Sequence, residues 1–288
     1  MSKNTSILVI GASGMLGHTV LRYLAASPGI DARGTTRSAA ARDLLPAALR
    51  SRVAIGIDAE RDEDLRGVIE KLRPDWVINC VGVVKQLHDA KDPLVAVPIN
   101  TLLPHRLARL CTASGARLIH VSTDCVFAGT KSMYRESDFA DADDLYGRSK
   151  LLGEVDQPNA VTLRTSIIGP ELVSAHGLLG WFLSQHGRVK GFTRAIYSGL
   201  PTVELARVMR DFVIPRPELH GVYHVSSAAI NKHELLTLVA RQYGVATEVT
   251  PDAALVIDRS LDSSRFRRLT GYTPPAWPEL IRVMHEFG

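Results

Sequence analysis

SILVIGASGMLG, residues 6–17, joins a short β-rich apolar run to three glycines spaced three apart. The HTVLRYLAA that follows carries apolar residues at helical spacing, so the stretch reads as strand, glycine turn and helix. Gly11 lets the chain turn sharply at the strand end, Gly14 lets backbone approach a pyrophosphate, and Gly17 lets the helix pack on the sheet. Ser13, Met15 and Leu16 lie between them, on the same cofactor-binding path. The free N–H groups and the dipole of the helix start favour negative charge there. The spacing, G-x-x-G-x-x-G, is one residue off the fingerprint of simple dinucleotide dehydrogenases.

The pattern recurs outward from this turn. DARGTTRS, SRVAIGID and PDWVINCVG read as the second, third and fourth strands, and INTLLPHRLARLCTASG as a helix ending at Gly115. ARLIHVSTD is a fifth, buried strand and AVTLRTSIIG a sixth. Strands alternating with helices predict an α/β fold, a doubly wound parallel sheet of the Rossmann type with its ligand crevice beyond the carboxyl ends of the strands. Residues 169–201 are rich in glycine and aromatics and lack clear periodicity, as in a smaller substrate-covering lobe. TVELARVMRDFVI and GVYHVS read as a return to the sheet, so the lobes interleave. The expected division is 1–165 for dinucleotide binding, with about 202–228 returning to it, and 166–288 for the substrate lobe.

The 288 residues are 45% hydrophobic and 22% charged, ordinary for a soluble globular protein. Cys80, Cys111 and Cys125 form no CxxC pair, which fits a reducing cytosol. The MSKNTSILVIGASG start has too short an apolar run for a signal peptide, and nowhere is an apolar run long enough to span a bilayer. The expectation is a cytoplasmic protein without membrane or nucleic-acid partners, since its arginines are scattered and no basic-aromatic stripe exists. The net charge of +4 suits an anionic small ligand.

GTTRS, at the end of the second strand, lacks the acidic residue that holds the ribose hydroxyl of NAD. Thr36, Arg37 and Ser38 instead offer donors to a 2′-phosphate, favouring NADP(H) over NAD(H), although Arg37 also fits a plain solvated arginine. Asp58 either accepts from the adenine amino group or caps the next helix.

VSTDCVF puts Thr123 at the end of the fifth strand, and in YGRSK Tyr146 and Lys150 sit one helical turn apart on one face. Ketone reduction needs a hydride on carbon and a proton on oxygen. A neighbouring ammonium favours the ionised form of a phenol, whose ordinary pKa is about 10. Lys150 is therefore expected to lower the Tyr146 pKa and hold the nicotinamide ribose. Tyr146 moves the proton, and Thr123 hydrogen-bonds the carbonyl oxygen.

These residues resemble the extended short-chain dehydrogenase/reductase superfamily. VSTDCVFAG, Y-R-E-S-D, YGRSKLLGE, LRTS, SGLPTVELARV, GVYHVSS, RSLDSSRF and PPAWPEL resemble the dTDP-4-dehydrorhamnose reductase family over nearly the whole chain. The resemblance implies an NADPH-dependent reductase of nucleotide-linked 4-keto-6-deoxy sugars, serving surface-polysaccharide precursor synthesis. It implies Thr123, Tyr146 and Lys150 as the triad, Cys80, Val81 and Gly82 along the cofactor, and Asp124 and Cys125 beside the substrate. No metal site and a possible homodimer complete the expectation.

Two departures matter. The family usually has tyrosine where Cys125 stands, and the Thr-Asp-Glu that sugar-nucleotide dehydratases carry is missing. Cys125 and His176 look similar to the cysteine and histidine of GDP-fucose synthases, which keeps open a bifunctional epimerase-reductase in which thiol and imidazole trade protons beside the ketone. Trp181, Arg188, Lys190, Arg194 and Tyr197 could hold the nucleotide base and diphosphate, or Trp181 and Tyr197 could be lobe core. Arg265, Arg267 and Arg268 read as a solvated face or as diphosphate contacts. A rival of another class is a non-catalytic dinucleotide-binding regulatory subunit, as the β subunit of methionine adenosyltransferase resembles this family.

Overall fold

Strand β1 (Thr5–Ile10) buries Ile7 and Val9 on one face of the sheet and Leu8 and Ile10 on the other, the period-two alternation of a strand covered on both sides. The computed structural model describes residues 4–84 and 91–288; Met1 to Lys3, at the start of the MSKNTS stretch, lie outside the described residues. β1 is joined by β2 (Ile30–Thr35), β3 (Val53–Ala54), β4 (Trp76–Asn79), β5 (Arg117–Thr123), β6 (Ala160–Thr165) and β7 (Gly221–His224). Their order is β3-β2-β1-β4-β5-β6-β7, with every pairing parallel. The fold class read from the sequence is the one observed.

Helix α1 (Met15–Ala25) covers one face through Leu16, Val20, Leu21 and Leu24. Helices α2 (Asp62–Leu72) and α3 (Leu103–Ser114) cover the other through residues such as Leu65, Ile69, Leu107 and Cys111. A π-bulge over Val97–Leu102 leads into α3, which ends at Gly115 with φ +75°. The third strand is shorter than SRVAIGID suggests, because Gly56 turns the chain away at φ +77°. Helix α4 (Leu145–Leu152) crosses the carboxyl end of β5.

After β6 the chain leaves the sheet and builds small ones. Ile167–Ile168 pairs with Leu200–Pro201, Ala195–Tyr197 lies between Ile230–Asn231 and Ile257–Asp258, and Arg188–Phe192 pairs with Glu248–Asp252. Short strands thus occupy a stretch where no period was legible. Helix α5 (Thr202–Val208) packs on α1, with the Thr19 and Thr202 hydroxyls 3.2 Å apart. Helices α6 (Lys232–Tyr243) and α7 (Trp277–Phe287) form a separate apolar cluster with Phe182, Tyr197 and Ile230. Phe266 and Tyr272 cross back into the core of the main sheet, beyond the 202–228 return expected from the sequence. No helix among the described residues is long and apolar enough to cross a membrane.

Candidate active site

Two adjoining clefts, of about 470 and 430 Å³, open at the carboxyl ends of β1 and β4 and share Ser13, Gly14, Cys80, Val81 and Gly82 as walls. The glycine turn explains the opening. A side chain at Gly11 would strike Val81, and one at Gly17 would collide with the Gly11 carbonyl, so packing alone demands both glycines. Gly14 differs: a Cβ there would meet protein only at 3.6 Å or more, and it faces both clefts. No side chain caps α1, whose first N–H groups therefore remain for an anion. A pyrophosphate fits this cradle. Met15 and Leu16 line the larger cleft, whereas Gly17 acts only through packing. Burial pushes the Cys80 thiol up to about 12, so it offers bulk rather than charge.

The smaller cleft runs past Thr36, Arg37, Ser38 and Asp58. The Thr36 hydroxyl donates to the Ser38 carbonyl (3.1 Å), and the Ser38 hydroxyl accepts from the Ala41 N–H (3.2 Å) as a helix cap. Local structure therefore engages the Thr36 donor and leaves the Ser38 O–H to donate elsewhere, and exposed Arg37 makes no ion pair among the described residues. Asp58 does not cap α2; its carboxylate takes the Glu60 N–H at 3.0 Å, and the cap position falls to Arg61.

Thr123, Tyr146 and Lys150 line the larger cleft together. Asp144 caps α4 by accepting the Gly147 N–H at 2.7 Å. Gly147 and Gly153 let this helix sit closely: a side chain at the first would collide with the Cys125 carbonyl, and at the second with the Asn100 carbonyl. Lys150 Nζ donates to the Val121 carbonyl at 2.8 Å. Burial lowers its pKa to about 8, with Glu154 pulling it back up. Burial also raises the Tyr146 phenol above its ordinary range, the Cys125 side chain adds to this, and a hydrogen bond with Thr123 opposes it. The protein alone thus keeps Tyr146 protonated, the reverse of the lowering expected from Lys150. Desolvation dominates, and the Lys150 ammonium, engaged by the Val121 carbonyl, is not among the main influences on the phenol.

Asp124, Cys125, His176 and Tyr197 line the same cleft. Tyr197 is both wall and core, its ring 5.6 Å from Trp277. The structure does not bring Trp181 or Lys190 there. Trp181 is partly exposed on the outer side of Leu178–Leu183, tilted against Phe182, and Lys190 pairs with Asp252 at 3.0 Å with its side chain 75% exposed. Arg188 pairs with Glu248, and Arg194 is exposed away from the clefts. Arg265 donates to the Val222 carbonyl and Arg267 to Ser263, while Arg268 is exposed. None of these arginines lines either cleft. Sequence reasoning missed Lys232, Ser166 and Glu171, all in the wall of the larger cleft. Glu171 accepts the Gly177 N–H at 2.7 Å and so shapes the loop that carries His176. Among the described residues no cluster of three metal-ligating side chains occurs.

The family model described as RmlD substrate binding domain matches residues 5–284. The chain belongs to this family. A dTDP-4-dehydrorhamnose reductase of Streptomyces griseus is 32% identical over 148 residues, which is 51% of this chain but only 43% of that relative. Methionine adenosyltransferase 2 subunit beta of Danio rerio is 28% identical, over 83% of this chain and 74% of that one. The fold is also that of a Bacillus anthracis dTDP-4-dehydrorhamnose reductase solved in complex with NADP, with TM-score 0.80, 21% identity and coverage of 98% and 99% of the two chains. The chain thus shares its family with sugar-nucleotide reductases.

Proposed function

We propose that this protein reduces the 4-keto group of a nucleotide-linked 4-keto-6-deoxyhexose, with NADPH as the preferred cofactor, in cytoplasmic synthesis of surface-polysaccharide precursors. The observation that carries the reading is that Thr123, Tyr146 and Lys150 share one cleft with the open N-terminus of α1. A bound nicotinamide supplies the hydride. Gly14 and the first N–H groups of α1 hold its pyrophosphate, Arg37 reaches the 2′-phosphate, and Asp58 faces the adenine. Tyr146, kept protonated by burial, donates its proton to the carbonyl oxygen, and Thr123 steadies the charge that builds there by turning its hydroxyl from Asp124 to that oxygen. Lys150, anchored on Val121, keeps a cation beside the phenol and orients the nicotinamide ribose. In this reading residues 1–165 with 202–228 form the dinucleotide half and the remainder the substrate half.

The test is a panel of enzymatically made 4-keto nucleotide sugars, with loss of reduced cofactor as the readout. Turnover with at least one member supports the reading, and turnover with none rejects it. Arg37→Ala should weaken NADPH binding roughly tenfold and leave NADH unchanged. An equal effect on both cofactors rejects the phosphate role.

A second reading is favoured by one observation, that Cys125 and His176 line the same cleft as Tyr146. It adds epimerisation next to the ketone and predicts solvent deuterium at C3 or C5 of the product; its absence removes that activity. The regulatory-subunit reading, which the Danio rerio relative favours, predicts tight dinucleotide binding without any turnover.

A further inference from the structure

Lys232 is the first residue of α6, the helix end where positive charge is disfavoured. Asn231 caps that helix by accepting the Glu234 N–H at 2.8 Å. The cap accounts for Asn231 and Glu234, but not for a lysine between them. Pairing of Ile230 with Tyr197 lays Lys232 over the tyrosine ring, with Nζ 4.0 Å from its centre. Both residues line the larger cleft together with Asp124. Tyr197 is only 5% exposed, and its hydroxyl is buried away from solvent with the Ser166 side chain as its polar neighbour. Asp124 is 6% exposed and takes the Thr123 hydroxyl at 3.2 Å. Burial lowers the Lys232 pKa to about 8, and Asp124 pulls it back up, so the two charges feel one another.

On the ketoreductase reading, we propose that Lys232, Tyr197 and Asp124 recognise the sugar hydroxyl on the ring carbon next to the ketone. Two observations fix this class of group. Asp124 takes the hydroxyl of Thr123, the residue assigned to the carbonyl oxygen, so a group it meets on the sugar lies close to that carbonyl. A carboxylate beside an ammonium repels an anion, but it suits a hydroxyl, which accepts from Lys232 while donating to Asp124. The Tyr197 ring holds the Lys232 amine in that contact.

The test compares wild type, Lys232→Met and Lys232→Gln on a 4-keto nucleotide sugar and on its analogue lacking the adjacent hydroxyl. Lys232→Met should raise KM roughly tenfold on the hydroxylated sugar and change kcat little. On the deoxy analogue it should cost nothing further, because the partner is already missing. Lys232→Gln, which keeps a shorter neutral donor, should show the same pattern more weakly, and it carries the test alone if Lys232→Met fails to fold. Equal losses on both sugars would reduce Lys232 to balancing Asp124, and no loss on either would remove it from recognition; each outcome overturns the proposal. If wild type reduces no keto sugar, the ketoreductase reading fails first and this one with it.

Discussion

Two lysines line one cleft. Lys150 stands in the second turn of α4, four residues from Tyr146, and bonds a carbonyl of the central sheet. Lys232 stands at the unfavourable end of α6 and rests on Tyr197, which comes from a strand of a small three-stranded sheet. Burial lowers both to about 8. The first lysine is placed by helical periodicity, the second by a strand pairing between distant segments. The proposed roles divide accordingly, with Lys150 serving the chemistry and Lys232 the choice of sugar.

The largest expected effect concerns the wall that carries chemistry. Tyr146→Phe should lower kcat by about 10²–10⁴ while dinucleotide affinity is retained, since the ring keeps its packing and loses only the proton donor. Stopped-flow turnover with a parallel binding titration would check this, and a kcat within severalfold of wild type would break the assignment. Lys150→Met comes next. It should reduce kcat by roughly tenfold to hundredfold, in contrast to the KM effect expected at Lys232. If both lysine variants changed KM alone, the division of roles would collapse.

The smallest effect tests both lysines through stability. Each has a folded pKa near 8, against an ordinary value of 10.5, so the unfolded chain binds more protons between those limits and stability rises with pH there. The rise ends near pH 10, where the unfolded tyrosines ionise and Tyr146 and Tyr197 resist doing so. The melting temperature should climb by roughly 2–4 °C from about pH 8 to about pH 9.5. The climb should shrink in Lys150→Met and again in the double variant with Lys232→Met; a flat or falling curve in wild type would contradict the burial of both amines.

This contrast also explains what the sequence made legible. The strand, glycine turn and helix at residues 6–25 follow mostly from local rules, because Gly17 is demanded by the nearby Gly11 carbonyl and Gly11 by its own left-handed backbone, although the side chain Gly11 lacks would strike distant Val81. Tyr146 and Lys150 were found because one helix fixes their spacing. Trp181 and Lys190 were chosen by residue type, and tertiary packing turned them elsewhere: Lys190 onto Asp252, Trp181 onto the outer side of its helix. Lys232 carried no local signal, since Asn231 and Glu234 read as an ordinary cap and only the Ile230–Tyr197 pairing brings the amine to the cleft. Gly147 and Gly153, inside and just after a helix, were signals left unread; each marks where another backbone presses on α4. The pKa of Tyr146 was misjudged because spacing reveals a neighbouring charge but not the partial burial of the phenol or the Cys125, Asp124 and Asp144 side chains around it.

The most direct measurement uses reduced dinucleotide deuterated on its transferable position, in ordinary water, with a 4-keto nucleotide sugar that the enzyme turns over. The account predicts one deuterium at C4 of the product, beside the new hydroxyl, and none on other carbons. Product lacking that label, or cofactor that stays deuterated while sugar is consumed, would contradict the pairing of the glycine-turn cleft with the Tyr146 wall.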